Sequence, residues 1–181
     1  MELTTERLRL RPFTRADEPR MHEIYSDPAV MRYVGHGPHR TVSETTAALR
    51  AYGDMLVRRG YSFLAVEELG TGTVIGDGGL HPLGGAGPEI ELGYTLAREA
   101  WGRGYATELG RALVGHARAA LGVPVVVAQV EPANTASRRV LEKLGMRERE
   151  VRTAYGRPHL LYAIEAPGAT PPAARRGWPR R

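Results

Sequence analysis

The chain has 181 residues, enough for one domain with a substantial core, and 42% of them are hydrophobic, which is typical of a globular protein. It contains no cysteine, which excludes disulfides, thiolate catalysis and cysteine-ligated metals. The formal net charge is +5, but four arginines lie among the last seven residues, so subtracting them leaves a body near +1, too little for a nucleic-acid-binding surface. No secretory signal is present and no apolar run approaches the ~18 residues of a membrane span, so we expect a cytoplasmic protein.

The N-terminal part of the chain predicts one strand followed by helices. Apolar and basic residues alternate in a half-exposed first strand that contains Leu3, Leu8, Leu10 and Phe13, with Arg7, Arg9 and Arg11 between them. Helices are predicted over residues 14–26, from Asp27 onward for a short piece, and over residues 41–59, where Thr41 and Glu44 have capping-box spacing. The loop 35–39 carries two histidines without a nearby carboxylate, so we expect no metal there.

The remainder of the chain predicts mostly strands. Residues 61–67 and 73–80 suit a hairpin, 89–96 alternate as a central strand, 124–130 form a buried apolar strand, and 147–154 with 159–164 form a last hairpin. One helical pattern follows the central strand, and another follows Asn134, which is suited to cap it.

A glycine-bearing loop joins the central strand to the next helix. Gly102 and Gly104 flank Arg103 where the helix starts, an arrangement that can leave backbone N–H groups free to bind a phosphate. A dinucleotide site is disfavoured because Thr107 stands where the third glycine belongs, and a Walker A loop is excluded because no Gly-Lys-Ser/Thr occurs. Taken alone, the loop is equally compatible with a tight turn that binds no ligand.

Two motifs carry a family resemblance. Residues 101–106, WGRGYA, resemble the acetyl-CoA pyrophosphate loop of the GNAT acyltransferase superfamily, Q/R-x-x-G-x-G/A, with Trp101 where Gln or Arg is usual. Continued by Thr107 and Glu108, the segment is similar to the RimJ/RimL-type branch. Residues 131–146 resemble that branch's N-x-x-S-x-x-x-x-x-K-x-G-F signature, with Met146 in place of Phe.

The resemblance covers roughly residues 2–166 and implies a GNAT acyltransferase domain over 1–166, followed by a Pro/Arg-rich tail over 167–181. The implied fold is α+β, with a mixed, strongly twisted sheet of about six to seven strands flanked by helices. The implied reaction is direct transfer of acetyl from acetyl-CoA, without a metal, to a primary amine on a peptide N-terminus or a small molecule. A CoA-binding sensor or interaction module of GNAT fold without catalysis is the alternative. We expect neither a membrane nor nucleic acid as partner, and a homodimer is one way in which the tail could be held.

The resemblance also implies a cofactor site. The backbone of Tyr94, Thr95 and Leu96 would pair with the pantetheine, and the N–H groups of Gly102, Arg103, Gly104, Tyr105 and Ala106 would bind the pyrophosphate. Asn134 and Ser137 would reach the pantetheine arm, and Arg103 or Arg138 would pair with CoA phosphates.

Amine acetylation needs a base for the amine and a proton for the leaving thiolate. Glu91 precedes Gly93 and Tyr94 as in the branch's E-x-G-Y pattern and is the candidate base, with a simple salt-bridged carboxylate as the alternative. Glu89, His81 and Tyr155 are reserves.

Many GNAT enzymes protonate the thiolate with a tyrosine at the position of Leu141, which has no proton to donate. Ser137 is the candidate replacement, although serine is also common in the first turn of a helix for purely structural reasons. Acceptor choice is expected to depend on the loops 35–39, 84–88 and 155–158.

Overall fold

The computed structural model describes residues 1–85 and 89–166. These form an eight-stranded sheet in the order β1-β2-β3-β4-β5-β6-β8-β7. The strands are β1 Leu3–Thr4, β2 Leu8–Arg11, β3 Phe63–Glu68, β4 Thr73–Pro82, β5 Ile90–Leu96, β6 Val125–Val130, β7 Arg147–Ala154 and β8 Arg157–Glu165. Only β5 and β6 pair in parallel; the other six neighbouring pairs in the described sheet are antiparallel. The predicted α+β fold with a mixed sheet is therefore confirmed, with eight strands where about six to seven were expected.

Five α-helices flank the described sheet. They are α1 Glu18–Ser26, α2 Pro28–Met31, α3 Val42–Arg59, α4 Tyr105–Ala119 and α5 Thr135–Lys143. Alternate residues of β3 divide the core between two layers, because successive side chains of a strand point to opposite faces. Leu64 and Val66 lie in the cluster that includes the buried side of α4, whereas Ala65 lies with α1, α2 and α3.

The prediction of a single strand from Leu3 to Phe13 is wrong. The chain turns between β1 and β2, where the N–H of Thr5 donates to the Leu8 carbonyl at 2.8 Å and the Thr5 hydroxyl accepts from the N–H of Leu8 at 3.0 Å. Residues 4–7 are all polar, and Leu3 and Leu8 are five positions apart, so the alternation within residues 7–11 does not extend to Leu3. This division accounts for one of the additional strands.

Two helices, α3 and α5, start at their predicted caps, whereas α1 starts at Glu18 after a short 3-10 turn and not directly after Thr14. The Thr41 hydroxyl accepts the N–H of Glu44 at 3.2 Å, as its spacing indicated, although the Glu44 carboxylate returns to the N–H of Arg40 at 2.6 Å and not to that of Thr41. Asn134 accepts the N–H of Ser137 at 3.1 Å and so fixes the first turn of α5.

The sheet opens between β5 and β6. These strands pair only at Ile90 with Val126 and at Glu91 with Val127. Beyond that point β5 continues to Leu96 along β4, while β6 continues to Val130 along β8. The opening leaves a wedge-shaped gap within the sheet, bordered by the C-terminal parts of both strands.

Candidate active site

Glu91 lies where β5 and β6 diverge. Its Oε1 accepts the backbone N–H of Gln129 at 3.2 Å, and its Oε2 accepts from the Gln129 side-chain amide at 3.1 Å. The carboxylate is 11% exposed. Gln129 was missed by the sequence analysis, although it is the single polar residue in the run VVVAQV of β6. Each carboxylate oxygen keeps a second lone pair, so Glu91 can still accept a proton or bind a water molecule.

His81 faces Glu91 from the neighbouring strand. The two residues are directly paired between β4 and β5, with 3.5 Å between His81 Nε2 and Glu91 Oε2. The other ring nitrogen, Nδ1, lies 3.1 Å from the Pro82 carbonyl oxygen. A neutral imidazole donates from only one of its two nitrogens, so this ring either donates to Glu91 or presents a lone pair beside it.

The other two candidate bases are Glu89, which lies just before β5, and Tyr155, which lies in the turn between β7 and β8. Glu89 pairs with Arg152 at 3.6 Å, which occupies it as an ion-pair partner. Burial raises the pKa of the Tyr155 phenol, and the negative charge of Glu91 adds to that effect. Glu89 is therefore engaged by Arg152, while the charge of Glu91 acts on the Tyr155 phenol.

Tyr94 and Ser137 meet across the opening. The Tyr94 hydroxyl is buried and has no hydrogen-bond partner among the described residues. Burial raises the pKa of Tyr94, and the nearby Ser137 hydroxyl, which does not reach hydrogen-bonding geometry, partly offsets this shift. Leu141 is 2% exposed and packs with Ala128 and Val130, as an aliphatic residue should. An unpartnered buried hydroxyl is costly, so a bound ligand that hydrogen-bonds to it would stabilise this arrangement.

The glycine-bearing loop precedes α4 in the predicted geometry. Gly102 and Gly104 have φ values of 72° and 82°, in the left-handed region that favours glycine. Thr107 and Glu108 both donate their N–H to the Gly104 carbonyl at 3.1 Å, which starts the helix. Within the described residues, the backbone N–H groups from Gly102 to Ala106 donate to no acceptor. Free N–H groups beside a helix N-terminus are suited to bind an anion.

Charged residues brace this loop from outside. The Tyr105 ring lies between two guanidinium groups, 4.6 Å from Arg7 and 4.7 Å from Arg103. Arg103 pairs with Glu68 at 2.7 Å, while Arg7 pairs with Glu108 at 2.6 Å. Arg103, expected to bind a CoA phosphate, thus has a carboxylate partner within the protein, which lessens its availability to an anion.

Two further predicted positions also have structural partners. Trp101, the departure from the family loop pattern, donates its indole N–H to the Leu96 carbonyl at 2.7 Å and so ties the loop to the end of β5. That bond uses one lone pair of a carbonyl expected to face the pantetheine. Arg138 donates from Nε to the Tyr162 hydroxyl at 3.4 Å, a long hydrogen bond on the α5 side of the opening.

The structure brings together two of the three loops expected to bind the acceptor. Arg157 donates to the Gly35 carbonyl at 2.9 Å, and the rings of His36 and Tyr155 lie 5.2 Å apart in an edge-to-face arrangement. Tyr155 and Gly156 form a two-residue turn with φ values of 50° and 72°, as in a type I′ hairpin. Most of the third loop, residues 86–88, and the tail 167–181 lie outside the described residues.

The described residues contain neither a metal-binding cluster nor a helix that could span a membrane. His39 Nδ1 lies 2.9 Å from the Thr45 hydroxyl, so this histidine has a polar partner in α3. No group of three or more His, Asp or Glu side chains suited to a metal occurs in residues 1–85 and 89–166. None of the helices in those ranges is both long and apolar enough to cross a membrane.

Comparison with known proteins gives a consistent family. The sequence profile of a family described as "Acetyltransferase (GNAT) domain" matches residues 7–147. A Bacillus licheniformis protein named uncharacterized N-acetyltransferase p20 is 30% identical over 146 residues, covering 81% of this chain and 82% of that protein. The crystal structure of an acetyltransferase from Agrobacterium tumefaciens has a TM-score of 0.79 and 30% identity, covering 92% of this chain and 95% of the other.

A more distant structure contains the cofactor. Mycobacterium smegmatis RimJ, solved in complex with CoA-disulfide, has a TM-score of 0.73 and 22% identity, covering 88% of this chain and 82% of that one. At this identity the likeness shows a shared fold, and the presence of CoA is a property of that protein.

Proposed function

This chain belongs to the GNAT acetyltransferase family, and we propose that it transfers acetyl from acetyl-CoA directly to a primary amine in a ternary complex. The observation that carries the proposal is the opening between β5 and β6, with Glu91 at its apex. The same opening is lined by the buried, unpartnered Tyr94 hydroxyl and leads toward the free N–H groups of residues 102–106. Unsatisfied donors along one path fit a ligand that has both polar linkages and phosphates.

Three sets of protein groups would each bind a different part of the cofactor. The edge of β5 at Tyr94, Thr95 and Leu96, which is not paired with β6, would hold the pantetheine as an added strand, with its Leu96 carbonyl already bound to Trp101. The N–H groups of residues 102–106 would hold the pyrophosphate. Asn134 accepts the Ser137 N–H through its oxygen, which leaves the Asn134 amide NH2 to donate to the pantetheine arm. When bound, acetyl-CoA supplies a thioester whose C–S bond breaks as the amine forms its C–N bond, releasing a thiolate.

Glu91 is the proposed base. A primary amine is mostly protonated near neutral pH, because such groups have pKa values of about 8 to 10. The two hydrogen bonds from Gln129 fix the carboxylate orientation and leave a lone pair on each oxygen for the ammonium proton, directly or through one water molecule.

Ser137 is proposed to assist the sulfur, either by donating a proton or by hydrogen bonding to the thiolate. Its position in the first turn of α5, across from the Tyr94 hydroxyl, supports this role. Tyr94 adds a second hydroxyl to the same place, which the sequence analysis had assigned only through its backbone.

A RimJ/RimL-like assignment is the finer form of the proposal. Asn134, Ser137, Lys143 and Gly145 occupy the positions of that branch's signature. The acceptor would then be a peptide N-terminus or a small amine.

A CoA-binding module without catalysis is the second candidate. The observation in its favour is Leu141, a buried aliphatic residue at the position where many relatives place the proton donor.

The test has two stages. Calorimetric titration with acetyl-CoA, with NAD and ATP as controls, should show micromolar binding of acetyl-CoA alone. A panel of amines and peptides, followed by mass spectrometry, should then show acetylation. Binding without turnover over the whole panel would favour the non-catalytic module, and no binding would refute both candidates.

A further inference from the structure

Three rings form a continuous surface that ends at Glu91. The centroids of Tyr52 and Phe63 lie 5.1 Å apart, and those of Phe63 and His81 lie 5.2 Å apart. His81 then meets Glu91 at 3.5 Å. We call these three residues the aromatic row. Each of its members is partly exposed, and the His81 side chain is 20% exposed, so the core does not fully cover the row.

The strand register places this row on the same face as the proposed base. Phe63 is paired with Gly79, and Gly79 with Gly93. Side chains two residues apart on a strand share a face, so Gly93 lies on the face of Glu91. Phe63 therefore reaches across two glycines toward the strand that carries Glu91.

The absence of a side chain on Gly93 makes room for the Phe63 ring. A Cβ at Gly93 would lie 2.8 Å from Phe63 Cζ, closer than atoms can approach without a shift. The ring thus lies directly against the backbone of β5 at Gly93, two residues from Glu91 and on the same face of the sheet. Its position depends on both residues.

An acceptor amine must reach Glu91, and the surface beside that position is aromatic. A small polar acceptor would bury little of the apolar surface of these rings. An acceptor with an apolar group would remove both that group and the ring surface from water, which favours binding. Charge complements this preference, since Glu91 provides the negative group for the ammonium at the end of the row. Ring faces also attract an ammonium ion directly.

We propose that the acceptor is a primary amine that carries an aromatic group close to its nitrogen, and that Phe63 selects it. This proposal rests on the proposed acetyl transfer and specifies its substrate class. The group could belong to a free arylalkylamine or to the first residue of a peptide, and the test distinguishes these two sources.

The first measurement is a specificity ratio, kcat/KM for phenethylamine divided by kcat/KM for ethanolamine. A matching ratio is measured for tetrapeptides that begin with Phe or with Ser. In the unmodified protein at least one of the two ratios should exceed about tenfold, the discrimination typical of an apolar pocket. The ratio that is high identifies the source.

Substitutions then test Phe63 itself. Phe63→Ala should bring the high ratio to within about threefold of one, and Phe63→Leu should retain part of it, because an apolar side chain remains. Gly93→Ala, which displaces the ring without removing it, should lower the ratio as well. Phe13→Ala is the matched control: Phe13 is the chain's other phenylalanine, its ring lies 6.0 Å from Tyr52 at the end away from Glu91, and the ratio should not change.

A ratio is insensitive to a general loss of folded protein, since both amines use the same enzyme. Binding of phenethylamine to the CoA-saturated protein, measured by calorimetry, supplies a readout without turnover and should weaken in Phe63→Ala. Equal use of polar and aromatic amines, or an unchanged ratio in Phe63→Ala, would overturn the aromatic preference and leave acetyl transfer intact. If acetyl-CoA binds and no amine is acetylated, the proposed function fails, and the binding measurement alone decides whether the aromatic row holds an amine.

Discussion

The Glu91 carboxylate and Gln129 are joined by two hydrogen bonds, of 3.2 Å from the backbone N–H and 3.1 Å from the side-chain amide. The residues are 38 positions apart and lie on the two strands that diverge at this point. This contact holds the last closed part of the parallel pair and fixes the orientation of the proposed base at once. Because a glutamine at position 91 could keep these two hydrogen bonds but could not act as a base, the catalytic role of Glu91 can be tested separately from its structural role.

Glu91→Gln should retain the fold and lose most of the activity. The new amide can accept the Gln129 N–H through its oxygen, and the Gln129 side chain can turn to accept from its NH2 group. We expect kcat to fall about 10²- to 10⁴-fold, the usual worth of a general base. The acetyl-CoA dissociation constant, measured by calorimetry, should change less than about threefold. Unchanged turnover would remove Glu91 from the mechanism.

Tyr94→Phe should separate cofactor binding from stability. Removing a buried hydroxyl that has no partner should leave the free energy of unfolding unchanged or raise it. If the hydroxyl bonds to the cofactor, acetyl-CoA affinity should weaken by about 0.5–1.5 kcal/mol, or roughly 2- to 13-fold. Urea unfolding and calorimetry check the two effects. A loss of stability with unchanged affinity would show that the hydroxyl serves the fold alone.

Ser137→Ala should lower kcat with little change in stability, because the cap bond at this position uses the Ser137 backbone N–H. A fall of about tenfold or more in the single-turnover rate would support assistance to the sulfur. The double variant Tyr94→Phe, Ser137→Ala shows whether the two hydroxyls substitute for each other, since coupled groups give non-additive losses. Full activity in the double variant would assign the thiolate proton to solvent.

Gly102→Ala should weaken acetyl-CoA binding through the backbone. Gly102 has a φ of 72°, and a non-glycine residue there costs about 1 kcal/mol or shifts the loop and its N–H groups. Gly122→Ala is the matched control, since Gly122 has a φ of 62°, also has open space at its Cβ, and lies in the turn between α4 and β6. Both variants should lose similar stability, but only Gly102→Ala should raise the acetyl-CoA dissociation constant.

Asp77 should make stability depend on pH. It is fully buried, the Tyr25 hydroxyl donates to it at 2.7 Å, and burial raises its pKa to about 7. An unfolded aspartate has a pKa of about 3.9, so the folded state binds more protons between these values. Stability should therefore fall as pH rises from about 4 to about 7 and change little from this group above that. In Asp77→Asn this contribution, on the order of a few kcal/mol, should disappear; urea unfolding at pH 5 and pH 8 measures it as the difference between the two proteins.

Features that depend only on residues close together in the sequence were predictable from the sequence. The glycine conformations before α4, the Thr41 and Asn134 caps and the alternation of β5 all follow from local steric preferences and from hydrogen bonds within four residues. The prediction was wrong at the N-terminus, where the alternation of residues 7–11 was extended to Leu3 across a turn at Thr5.

The sequence by itself determined the fold class, the position of the glycine-bearing loop before α4, and the candidate residues Glu91 and Ser137. Only the tertiary structure decided what those residues contact. The separation of β5 from β6, the bonds of Glu91 to Gln129, the pairing of Arg103 with Glu68 and the contact of Phe63 with Gly93 join residues far apart in the chain. Such contacts depend on strand register and on packing of the whole core, which no local pattern specifies.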